Sequence, residues 1–125
     1  MNIGLIKWVL RIAVAGEFIG HGVFALQQKA GWGKYFEAAG ISPDSAMTLM
    51  PIIGAMDLLL ALLVLIRPIR IAVLWMAFWG FWTALLRPLA GEPVWDFVER
   101  WANWGAPLAL LLLMGGPSSW KECFK

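Results

Sequence analysis

Glu17 and His21 are the residues best placed to do chemistry, because they stand four apart in an apolar stretch where a bilayer or a core penalises both. On a helix they lie about 40° apart and can share a hydrogen bond or a proton. That makes them the candidate catalytic pair. A lone histidine is also commonly a hydrogen-bonded packing residue, and both readings of His21 stand at the level of sequence. Two further ionisable groups, Arg11 and Asp57, interrupt apolar runs. Counted from the same surface they lie about 12 to 14 Å deep, which predicts an interhelical structural ion pair. Trp79 and Trp82, with Trp101, Asn103 and Trp104 from a later segment, are the candidate ligand-binding residues, able to wall a pocket for a flat apolar molecule. Trp75, Trp79 and Trp82 follow an i, i+4, i+7 stripe, which is equally the pattern of packing or lipid-facing surface.

The elements that carry these residues are helices. The chain has 125 residues, of which 61% are hydrophobic and 14% charged, against roughly 25% charged in an ordinary soluble domain. Its mean hydropathy is +0.73. The pattern predicts an all-α integral membrane four-helix bundle in a single transmembrane domain over 1–125, with spans at 3–26, 45–66, 69–86 and 101–114. The first span has no small-residue cleavage site and is interrupted by Arg11, Glu17 and His21, so it reads as a retained helix and not a signal peptide. Between spans one and two, Trp32, Tyr35, Phe36 and Ala39 suit an interfacial half-helix with Lys29, Lys34 and Glu37 toward water.

Charge and cysteine content exclude several classes. The net charge of +2 is scattered near span ends, with no basic stripe for nucleic acid. Cys123 is the only cysteine, which excludes an intrachain disulfide and a thiolate-rich metal or iron–sulfur site. One histidine beside one carboxylate gives too few ligands for a metal, and none is expected. Lys7, Arg67, Arg70, Lys121 and Lys125 would share one side of a four-span topology, against Lys29, Lys34, Arg87 and Arg100 on the other. The bias predicts a multi-pass cell-membrane protein with both termini cytoplasmic. Gly16 and Gly20 form a GxxxG pattern that lets another helix approach span one, from within the bundle or from a second copy in a homodimer.

Several of these residues together resemble the DoxX-like membrane proteins. The likeness rests on the early Arg11, on Gly20-His21-Gly22, on Phe36 through Gly40-Ile41-Ser42, on Asp57 before Leu58-Leu59-Leu60, and on Glu99-Arg100 with Asn103. Asp57 stands where that family commonly has a glutamate. The resemblance implies a small four-span bundle and, for some members, a link to quinone-dependent sulfur oxidation or to membrane oxidoreductase complexes. It therefore implies a membrane subunit of an oxidoreductase system with a redox or other membrane protein partner, binding a quinone or another apolar ligand in a pocket open to the outer half, with no covalently bound cofactor. Two other classes remain open. One is a non-catalytic membrane scaffold or assembly chaperone. The other is a small proton-coupled transporter, suggested by an acidic residue in the first span.

Overall fold

The computed structural model describes residues 1–115 and 120–125, and every element among them is helical. Helix α1 spans Ile3–Leu26 with Asn2 as its cap, the Asn2 side chain accepting from the Leu5 amide at 3.0 Å. A 3₁₀ turn at Ala30–Trp32 leads into α2, Gly33–Ala38, the half-helix expected from sequence. Helix α3 spans Pro43–Ile66, two residues earlier than the apolar run implied. The reason is local: Ser42 caps the helix, Pro43 occupies its first turn without a wasted amide, and Asp44 faces the positive end of the dipole.

Helix α4 spans Arg70–Leu89 and continues past Leu86 through Pro88. It stops where the Ala90, Gly91 and Glu92 amides turn back onto the carbonyls of Leu86, Arg87 and Pro88. Gly91 takes φ +92° there, a left-handed backbone that glycine adopts without strain. Helix α5 is short, Val94–Val98, and α6 spans Ala102–Leu113.

Among the described residues three helices, α1, α3 and α4, are long and apolar enough to cross a membrane. The span expected at 101–114 is not of that length. Helix α6 has 12 residues, about 18 Å at 1.5 Å per residue, against a hydrocarbon core of about 30 Å. Its start lies level with Gly80, midway along α4, and a Cβ on Gly80 would run into the Asn103 carbonyl oxygen. The α5 segment fills the remaining height beside α4, with Phe97 edge-on to Phe81.

The four longest helices alternate in direction. Helix α1 packs along α3, α6 lies against both α1 and α4, and α3 and α4 touch only sparsely although one short turn joins them. Val14, Phe18, Val64, Val73, Met76 and Leu110 form the dry centre. Gly22 and Gly54 fix the register of α1 on α3, since a Cβ on Gly54 would lie 2.8 Å from the Gly22 carbonyl oxygen. Small residues of this kind let two helix backbones approach closely. The outward faces are apolar, with Leu59, Leu62 and Ile66 of α3 and Leu74 and Phe78 of α4 all exposed.

The bundle thus has a terminal end, carrying the start of α1, the α3–α4 turn and the tail, and a loop end, carrying α2 and α5. Arginines fasten the terminal end. Arg11 donates from Nε to the Val64 carbonyl at 2.8 Å and also to the Leu65 carbonyl, closing the C-terminus of α3, and its guanidinium lies 3.9 Å from the Trp8 ring centroid. Arg70 donates to the carbonyls of Gly115, Met114 and Lys125, holding the end of α6 and the tail. Cations are well placed at such carbonyl-rich helix ends.

Candidate functional site

Where α3 and α4 part, at the loop end, the structure leaves a cavity of about 120 Å³. Ile53 and Asp57 of α3 form one wall, and Trp79, Trp82, Thr83, Leu86 and Arg87 of α4 form the other. His21 of α1 reaches it from a third side, while Trp32, Tyr35, Phe36, Ala39 and Ile41 roof it. Trp79 stacks on Trp75 with centroids 5.6 Å apart, and His21 meets Trp32 edge-on at 6.0 Å. Trp79 and Arg87 are eight residues apart on α4, so the cavity runs about 12 Å along the helix axis.

The roof is latched to the loop after α4. Glu92 accepts from Tyr35 Oη at 2.6 Å and pairs with Lys34 Nζ at 2.7 Å. Hydrogen bonds from Lys34 and then Tyr35 hold the Glu92 carboxyl well below the usual glutamate range, at about 2. The bond to Glu92 raises Lys34, whereas Tyr35 is raised first by burial and then by that bond. The Tyr35 ring also lies 4.0 Å under the Arg87 guanidinium, a cation–π contact that joins the roof to α4.

Polar atoms inside the site are left without partners. Asp57 is 2% exposed and Arg87 7% exposed, yet Asp57 Oδ1 and Arg87 Nε make no hydrogen bond. Glu17 Oε1 is likewise buried and unpartnered. A buried polar atom of this kind ordinarily costs about 1 to 3 kcal/mol, and most native structures carry few. Among the described residues four such side-chain atoms occur, two of them on residues that line this cavity and the others on Glu17 and Trp104.

The expected Arg11–Asp57 pair does not form. Asp57 lies seven residues before Val64, about 10 Å along α3 from where the Arg11 guanidinium binds. The Gly22–Gly54 contact sets the α1–α3 register so that the first turns of α1 extend beyond the end of α3, and equal residue counts from each span end do not mean equal depth. The same register brings Asp57 to the level between Glu17 and His21. Glu17 and His21 therefore share a neighbourhood with Asp57, although no hydrogen bond links the two and only His21 lines the cavity.

Of the five expected ligand-binding residues, Trp79 and Trp82 face the cavity. Trp101, Asn103 and Trp104 do not. They belong to another face of α4, where Gly80 seats the start of α6 and where Phe81, Phe97, Trp101 and Trp104 make a chain of edge-on and tilted ring contacts. Gly80 and Trp79 are adjacent in sequence and so point about 100° apart, which separates the two aromatic groups. Arg87 is where the sequence puts it, at the polar end of the bundle with Glu17 and His21, whereas Tyr35 was missed as a site residue although it is the only tyrosine. Among the described residues no three His, Cys, Asp or Glu side chains gather as a metal-ligand set.

The site so built is an aromatic-walled cavity lined by one carboxyl residue, Asp57, one guanidinium residue, Arg87, and one imidazole, His21. No family model matches the chain, and neither a curated protein nor a solved structure is significantly similar to it.

Proposed function

We propose that the chain is a multi-pass membrane protein of DoxX-like type that binds a flat apolar ligand of the quinone class in the α3–α4 cavity, as the membrane subunit of an oxidoreductase system. The observation that carries this reading is the pairing of aromatic walls, Trp79, Trp82 and Trp32, with two buried unpartnered polar atoms on cavity residues, Asp57 Oδ1 and Arg87 Nε. Ligand sites combine apolar walls with a few such convergent polar groups. Within this reading Glu17, Asp57 and His21 handle protons beside the ligand, and a redox partner supplies or removes the electrons.

Both termini face the cytoplasm in this proposal. Arg67, Arg70 and the tail Lys125 gather at the terminal end, whereas at the loop end Arg87 is withdrawn into the cavity wall. The α6 helix completes the bundle beside the three longer helices, with the α5 segment making up its length.

Purification in lipid nanodiscs followed by solvent extraction and mass spectrometry tests the proposal. The expected result is one quinone-class molecule per chain, lost when Trp79 and Trp82 are both changed to leucine. An empty preparation whose tryptophan fluorescence is not quenched by added 1,4-naphthoquinone overturns it.

A second reading, a scaffold or assembly factor, draws support from one specific feature. Gly16 and Gly20 lie on an exposed face of α1, where added Cβ atoms would meet nothing within 4 Å. Such a face suits a partner helix or a second copy. Changing both glycines to valine should then abolish partner association while leaving ligand retention intact.

A further inference from the structure

Arg87 brings a fixed cation to the cavity wall, and nothing in the bundle cancels it. The residue is 7% exposed and forms no ion pair among the described residues. Glu92, which latches the roof beside it, is engaged by Lys34 and Tyr35. Lys34, Arg87 and Glu92 together therefore carry one uncancelled positive charge. The Tyr35 ring, 4.0 Å from the guanidinium, attracts a cation through its quadrupole but does not neutralise it. Asp57 lines the cavity at its other end. It stands nine residues before the end of α3, as Trp79 stands nine after the start of α4, and Arg87 lies eight residues, about 12 Å, beyond that level. A guanidinium keeps its proton, and a buried charge left without a partner is among the costliest groups a fold can carry.

The guanidinium is open along one edge. Its Nε is sealed without a partner, and the two Nη groups are not, so the Nη pair is the part that a molecule in the cavity can reach. Two N–H donors on such an edge match the two oxygens of a carboxylate. The charge matches as well. A phosphate carries about −1.5 to −2 near neutral pH and would leave negative charge uncancelled against apolar walls, whereas a carboxylate balances Arg87 one for one.

We infer that the cavity takes an aromatic carboxylate, with its two oxygens accepting from the Arg87 Nη pair under the roof and its ring against Trp79 and Trp82. The inference takes from the proposal above only that the cavity is a ligand site, and adds an anionic class of occupant.

Three probes with one ring skeleton test it at neutral pH: 2-naphthoate, 2-naphthamide and 2-naphthylmethylamine. Each is titrated by calorimetry into the full chain in nanodiscs, with empty nanodiscs as the partition control. The naphthoate should bind at least about ten-fold tighter than the amide, which keeps the shape without the charge, and the amine should bind weakest. Arg87→Gln should bring the naphthoate-to-amide ratio to parity, and Arg87→Lys should keep it above parity. The native-chain ratio needs no variant and decides the matter even if Arg87→Gln fails to fold. Parity in the native chain overturns the inference and leaves the ligand-binding reading standing. A native ratio that survives in folded Arg87→Gln also overturns it, because another residue then reads the charge. Failure of all three probes to bind overturns both readings. Selective naphthoate binding by a chain that 1,4-naphthoquinone does not quench upholds the inference and removes the quinone class.

Discussion

Arg11 and Arg87 are both arginines on apolar helices, and the molecule treats them in opposite ways. At the terminal end the Arg11 guanidinium is spent on two carbonyls that α3 leaves open and on the face of Trp8. At the loop end the Arg87 guanidinium is more deeply buried, rests on Tyr35 and keeps Nε unpartnered beside a cavity. The first arrangement satisfies polar groups that the fold itself exposes. The second leaves a buried donor unsatisfied on a residue that lines a cavity, and stability is the usual thing given up at functional sites.

The contrast can be broken most severely through the glycines that hold the two ends in register. Gly80→Val would drive a branched side chain into the Asn103 backbone, and Gly54→Val into Gly22 and Leu26. Each should lower stability by about 3 kcal/mol or more, at the upper end of overpacking costs, since backbone and not a flexible side chain is in the way. Unfolding of the purified protein by denaturing detergent measures this.

Next in size is Arg11→Met, which should cost about 2 kcal/mol by leaving the α3 carbonyls without a charged donor, and should not alter ligand affinity. Asp57→Asn should be neutral or stabilising by up to about 1 kcal/mol, because it replaces a buried carboxyl that makes no ion pair among the described residues. The double variant should be additive. A coupling above about 0.5 kcal/mol would restore the direct Arg11–Asp57 pair.

The smallest effect concerns the roof. Glu92 titrates at about 2 in the folded chain against an ordinary value of 4.5, so its ionised form favours the latched state. That contribution is full above about 4.5 and is lost as pH falls through about 2. Pepsin nicking within residues 27–42 should therefore rise steeply over that interval. In Glu92→Gln the roof should be nicked throughout, with no step.

Sequence alone gave the bounds of α1 and the half-helix roof, because both are written in local pattern: an unbroken apolar run in one, and aromatic residues interleaved with lysines in the other. It gave the bounds of α6 to within a residue but not its level in the bundle, because an apolar segment of 14 residues says nothing about where along a neighbour it begins, and Gly80 sets that position from another helix. Trp101, Asn103 and Trp104 followed α6 away from the cavity for the same reason. The Arg11–Asp57 pairing failed on register, which depends on a close approach between Gly22 and Gly54, 32 positions apart. Trp79, Trp82 and His21 were legible as cavity residues since their own helices present them there. Tyr35 was not, since only the tertiary fold lays it against Arg87.

The most direct measurement is a high-resolution structure of the chain in lipid nanodiscs with 1,4-naphthoquinone and a reductant present. The account predicts planar density between Trp79, Trp82 and Trp32, with Asp57 at one end and Arg87 at the other. Density confined to the lipid-facing surface, with Asp57 and Arg87 closed onto protein partners and no cavity between α3 and α4, would contradict it.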